Sequence, residues 1–127
     1  MIIRAYHHDD RSKVNKLYND WNLPKETIDY ISESGFVVVK NGHIKGAAFL
    51  YTTNSPISMI DCFVVDRYEE KKSKDEIIDG LIETMVDRAR KQGSKAIIAE
   101  PRFVKSFQRL KKHGFSEFKT GRFWRGF

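Results

Sequence analysis

The chain has 127 residues, 40% hydrophobic and 31% charged, with a formal net charge of +6. That balance excludes a disordered polymer. The longest apolar runs, FVVV and AAFLY, are far too short to be a membrane-spanning helix of ~20 residues.

One α/β domain spanning 1–127 is expected, long enough to bury roughly two thirds of its unfolded surface. Met1 leads directly into the alternating IIRAY, which does not read as a secretion signal. Cys62 is the single cysteine, so a reducing, cytoplasmic setting is the default. The charge is uneven: residues 101–127 carry eight Lys/Arg and one acid, whereas residues 1–100 carry fifteen and sixteen. Such asymmetry points to an anionic partner.

In chain order, IIRAY reads as a first strand. A helix follows, with Val14, Leu17, Tyr18 and Trp21 at helical spacing and acids at its start. Pro24 opens a second short helix at roughly 24–33. FVVVK and HIKGAAFLYTT flank Asn41-Gly42, a strong hairpin signal. ISMIDCFVVD reads as a long strand. The next helix places Ile77, Ile78, Leu81, Ile82, Met85, Val86 and Ala89 on one apolar stripe and stops at Gly93. KAIIAE is a short buried strand, and a helix runs from Pro101 to about His113. FSEFKTGRFWRGF forms a closing hairpin that turns at Thr120-Gly121. The pattern predicts a mixed central sheet of about seven strands with about four flanking helices.

Together these strings resemble the GNAT-type N-acetyltransferase superfamily over nearly the whole chain. IIRAYHHDDRSKVNKLYNDW is similar to its opening strand and helix, and GFVVVKNGHIKGAAFL to its central hairpin. VVD, the long apolar helix and ARKQGSKAI are similar to its cofactor segment, and LKKHGF to its closing KLGF. Phage-encoded GNAT-like proteins with altered cofactor loops look similar as well. The resemblance implies that acetyl-CoA lies where the strand before the long helix splays from its neighbour. It also implies contacts from Phe63, Val64, Val65, Lys71, Lys72, Ser73 and Lys74, and an amine acceptor.

The strand-to-helix junction EEKKSKDE departs from the family pattern. The family's pyrophosphate loop has the form R/Q-x-x-G-x-G/A. Its glycine-like positions fall on Lys71, Ser73 and Asp75, and Glu70 stands where Arg is usual. Side chains there are expected to crowd a diphosphate. Ser73-Lys74-Asp75-Glu76 also has the S-x-x-E spacing of a capping box, which would use up the helix-start donors. Two acids there would repel phosphate, partly offset by Lys71, Lys72 and Lys74. The expectation is a closed cap. The resemblance further places Leu110 where many members have an acidic Tyr, and Phe103 where some have Asn.

Asp61, where some members carry a general base, is the candidate catalytic residue, with an acid on an open sheet face as the plainer alternative. Tyr6, Tyr51 and Tyr68 are candidate substitutes for the missing acid, but packing is the favoured reading of each. Cys62 is read as a buried small apolar residue. His7 and His8 should point to opposite sides of an extended chain, so no metal site is expected. His43 falls in a turn, and His113 at a helix C-terminus that suits a cation.

On the last helix Arg102, Lys105, Arg109 and Lys112 recur along one face, with Phe103, Phe107 and Leu110 beside it. Arg122, Trp124 and Arg125 follow. Such a stripe fits phosphates, nucleic acid or an acidic protein, or alternatively a solvated helix face. Two functions therefore stand side by side. One is an acyl-CoA-dependent N-acetyltransferase with a degenerate loop. The other is an inactive module that binds through its basic C-terminal face.

Overall fold

The computed structural model describes residues 1–99, 104–117 and 123–127, without the side chains of 104–107 and 124. Its strands are β1 (Ile2–Ala5), β2 (Gly35–Lys40), β3 (His43–Thr52), β4 (Ile57–Val65), β5 (Ala96–Ala99), β6 (Ser116–Glu117) and β7 (Phe123–Gly126). The α-helices are α1 (Arg11–Asp20), α2 (Lys71–Lys91) and α3 (Val104–Lys112), with 3-10 helices at His8–Asp10 and Lys25–Tyr30. The strands form one seven-stranded mixed sheet in the order β1-β2-β3-β4-β5-β7-β6. The β4–β5 pair is parallel and the others are antiparallel. The expected fold class is what the chain adopts.

The β2–β3 hairpin turns where Asn41-Gly42 places it. Both residues take positive φ, 52° and 77°, which matches the right-handed twist of the strands. The Val38/Val39 register shift leaves Lys45 as the extra residue on β3, opposite the pairs Val38↔Gly46 and Val39↔Ile44.

Two apolar layers cover the sheet. On one face Ile77, Leu81, Ile82, Met85, Val86 and Ala89 of α2 pack with Val38, Leu50, Ile60, Val65, Ile97, Leu110 and Phe123. On the other, Val14, Leu17 and Tyr18 of α1 and Ile28 pack on Val37, Ala47, Phe49 and Val64. Each large side chain buried this way stabilises the fold by about 1.5–3 kcal/mol. The α2 stripe is the one the sequence predicts, except that Ile78 is only partly buried.

Two local expectations are corrected. The segment after Pro24 is a six-residue 3-10 helix, not an α-helix to residue 33, with Pro24 just outside it. Its two turns bury only Thr27 and Ile28, too little apolar surface to sustain a longer helix. His43 opens β3 rather than sitting in the turn. The last helix is described from Val104, and the start at Pro101 and the turn at Thr120-Gly121 lie outside the described residues. No helix among the described residues is long and apolar enough to cross a membrane.

Candidate functional site

The site is built where β4 leaves β5. The parallel ladder covers Ile57↔Ala96 to Ile60↔Ala99, yet β4 continues to Val65. Among the described residues, no strand pairs with that edge of β4 beyond Ile60. A bulge sits at this point: Phe49 opposes Asp61 and Ala47 opposes Val64, so β4 has one residue more than β3. Cys62 bears the strain, with φ 56°.

Three contacts hold the bulge. The Cys62 N–H donates to Asp61 Oδ1 at 2.7 Å, and the Tyr18 hydroxyl donates to the Cys62 carbonyl at 2.6 Å. The Tyr51 hydroxyl donates to the Tyr30 carbonyl at 2.8 Å and lies 3.2 Å from Cys62 Sγ. Burial pushes both phenols well above their ordinary range, so they stay protonated donors.

Backbone polarity along β4 follows from one bond. The Asp66 N–H donates to the Lys45 carbonyl at 2.8 Å. Alternation in the regular part of the antiparallel pair then turns Asp66 and Val64 toward β3, and Val65 toward the opposite edge. That edge thus presents the N–H and C=O groups of Val65, and the bulge begins at Phe63.

Beyond β4, residues 66–70 lead into α2. The predicted capping box does not form. Glu70, not Ser73, precedes the first helical residue, and no side chain caps the helix. Ser73 is instead buried in the first turn, 4% exposed. Its Oγ accepts from Lys40 Nζ at 2.7 Å and donates to Glu69 Oε2 at 2.5 Å. Lys45 Nζ bridges Asp66 at 2.9 Å and Glu69 at 3.2 Å.

The Ser73 hydroxyl holds the Glu69 carboxyl below its usual range despite partial burial, with Lys45 and Lys40 adding to the effect. Burial would raise Asp66, but Lys45 and the Tyr68 N–H hold it low. The loop is thus fixed by charges from the β2–β3 hairpin in place of glycines. The closed-cap expectation fails because tertiary partners claim Ser73. The N–H groups of Lys71, Lys72 and Ser73 precede the first helical bond, Lys74 N–H to the Glu70 carbonyl.

The remaining predicted residues fall as follows. Asp61 is exposed beside the bulge. Lys71 and Lys72 are exposed at the helix start, whereas Lys74 Nζ lies 5.5 Å from the Trp21 ring centre. Leu110 is core, so no titratable group stands there. Tyr68 is 78% exposed, and Tyr6 packs edge-on against Phe49.

Cys62 is half-buried at a bulge, which corrects its reading as a plain core residue. The His7 and His8 rings lie 4.1 Å apart, because the chain leaves the extended conformation of His7 for a 3-10 turn at His8. Donor atoms of His7, His8 and Asp9 come within 4.8 Å of one another on an exposed surface. The expectation of opposed histidines is corrected by that turn.

The basic stripe is also altered. Arg109 reaches Asp75 Oδ1 at 2.6 Å and Asp79 Oδ1 at 3.2 Å, with its side chain 21% exposed. Lys112 and His113 join Asp79 at 3.0 and 2.9 Å. Burial would raise the Asp79 carboxyl, but His113, Lys112 and Arg109 hold it low, and Arg109 does the same for Asp75. Arg109 thus ties α3 to α2 and leaves the solvated face, whereas Lys112 pairs with Asp79 but stays 66% exposed on it. Arg125 is partly buried and lines Gly114. Arg102, Arg122 and the side chain of Lys105 lie outside the described residues.

Sequence reasoning missed Trp21, Tyr18, Lys40 and Lys45 as parts of the site. Their partners are distant in the chain, and only the polar end of an otherwise apolar residue hinted at Trp21 and Tyr18.

No family model matches the chain, and no curated protein sequence matches it. Solved structures do. A GCN5-related N-acetyltransferase from Kribbella flavida superposes with a TM-score of 0.81 at 14% identity, over 99% of this chain and 97% of that one. The ribosomal-protein-S18-alanine N-acetyltransferase from Escherichia coli gives 0.80 at 13%, over 98% and 92%. Rv2747 from Mycobacterium tuberculosis, solved in complex with CoA, gives 0.76 at 16%, over 94% and 74%. The chain has the GNAT-type fold.

Proposed function

We propose that the protein is an acyl-CoA-dependent N-acetyltransferase acting in the cytoplasm, with a glycine-free cofactor loop. The observation that carries this reading is the coincidence of a β4 edge that no described strand pairs beyond Ile60 with a start of α2 that no side chain caps. A pantetheine arm is an extended chain of amides and fits an unpaired strand edge. A diphosphate fits free N–H groups at a helix start. The buried Ser73 hydroxyl turns inward, which leaves that approach clear. The cofactor would supply an acyl group activated as a thioester.

In this reading the Phe63 and Val65 N–H groups face the acyl carbonyl. Fixed donors aimed at a developing oxyanion are worth more in a water-poor gap than in solvent. The helix-start N–H groups at Lys71, Lys72 and Ser73, with the Lys71 and Lys72 side chains, hold the diphosphate. Val64 is buried on the opposite face and sets the strand in place. Asp61 takes the proton from the acceptor amine directly or through water. Leu110 offers no acid, so solvent or the released amine proton serves the leaving thiolate, and orientation of the two substrates supplies most of the rate.

The test is thiol release from acetyl-CoA with a panel of primary amines. Turnover that depends on the amine is expected, and no amine-dependent release from any acceptor would contradict the proposal. The binding-module alternative draws on six cations, two of which, Arg109 and Lys112, pair within the chain. No observation among the described residues favours it.

A further inference from the structure

The Val65 carbonyl, on the edge of β4 that faces the gap, is already taken. Trp21 Nε1 donates to it at 2.6 Å. Trp21 follows directly on α1, where the helix ends and Asn22 turns with φ 55°. Trp21 is 39% exposed and belongs to neither core layer. It therefore lies over the polar edge without being bedded in the interior. Two cations flank it: Arg67 Cζ and Lys74 Nζ each lie 5.5 Å from the ring centre. Arg67 is further tied to the Asp20 carbonyl at 3.0 Å.

We propose that Trp21 is a gate on the cofactor groove: its indole occupies the Val65 carbonyl in the free protein and withdraws when an extended acyl-pantetheine chain pairs with that edge. The inference rests on the acyl-CoA reading above and deepens it. A carbonyl oxygen has two lone pairs, so the two compete where the ligand amide approaches from the side that the indole N–H already holds. Withdrawal also releases the ring contacts of Lys74 and Arg67, which are modest at a half-exposed site, while Arg67 keeps its bond to the Asp20 carbonyl. Both flank the helix start that would hold the diphosphate. Entry of the chain and recruitment of phosphate-binding charge are then one event, and Trp21 sets the affinity for the cofactor without touching the reacting atoms.

The test uses the full chain labelled with 5-fluorotryptophan, with Trp21→Phe assigning the Trp21 fluorine resonance. Calorimetry with acetyl-CoA runs in parallel on wild type, Trp21→Phe and Trp21→Ala. The expected result is a Trp21 resonance that shifts toward a solvent-exposed value on saturation. Trp21→Phe, which keeps a ring and loses the donor, should bind about 2- to 10-fold tighter, the worth of one hydrogen bond that need not be broken.

Weaker binding by both folded variants would overturn the gate and make Trp21 a holding residue. A Trp21 resonance that stays fixed while calorimetry shows binding would overturn it too. If neither wild type nor Trp21→Ala binds acetyl-CoA, the cofactor reading itself fails and the gate falls with it.

Discussion

Asp61 does two things at the bulge, and substitution separates them. Its Oδ1 accepts the Cys62 N–H, which fixes the strained turn of the strand. Its exposed position leaves the carboxylate able to take a proton. Asp61→Asn keeps an acceptor oxygen and removes the base. The expected outcome is unchanged acetyl-CoA affinity with kcat lower by about a hundredfold or more, measured by calorimetry and steady-state thiol release. An unchanged kcat would assign Asp61 to structure alone. Tyr18 is the complementary case: it is buried and its hydroxyl holds the Cys62 carbonyl. Tyr18→Phe leaves that carbonyl without its donor and should cost about 1–3 kcal/mol in urea unfolding. A variant as stable as wild type would mean the bulge does not depend on it.

At the scale of elements, the closeness of α2 to the sheet decides how the helix start meets the gap. A Cβ added at Gly46 would lie 2.5 Å from Ile77 Cγ2, and Ile77 is fully buried. Gly46→Ala should therefore destabilise by about 1–3 kcal/mol through overpacking, read from denaturant midpoints. An unchanged midpoint would show that the helix can shift. This helix and the β2–β3 hairpin were legible in the sequence because their signals are local: an apolar stripe of period 3.6, and Asn-Gly between two apolar runs. The bulge was not legible. Its positive φ falls on a cysteine, held there by Tyr18 and Tyr51 from other elements. The failure of the capping box has the same cause. Ser73 has the right local spacing, but Lys40 and Glu69 offer stronger charged partners. The basic stripe misled because periodicity shows which residues share a helix face and not which acids on α2 meet Arg109.

Across the whole molecule, carboxylates tie the pieces together. Arg4 holds Asp10 below its usual range, Arg109 holds Asp75, and partners outweigh burial at Asp66 and Asp79. Each folded value lies below the unfolded one. The stability they contribute is full above the unfolded carboxylate range, near pH 4, and is lost as pH falls through the folded values. The thermal midpoint should therefore drop steeply below about pH 4. The gap between wild type and Arg109→Ala should be wide at pH 7 and narrow at pH 3, and a gap that stays constant would remove the α2–α3 clamp from the account. The central claim is that β4 and α2 together form a cofactor groove without glycines. Its most direct test is calorimetric titration of acetyl-CoA into the wild-type chain and into Lys71→Glu/Lys72→Glu, at low and moderate salt. Saturable binding near micromolar, about 8 kcal/mol, weakened by salt and by the double variant, is expected. No heat at millimolar acetyl-CoA, or binding that ignores the double charge reversal, would contradict it.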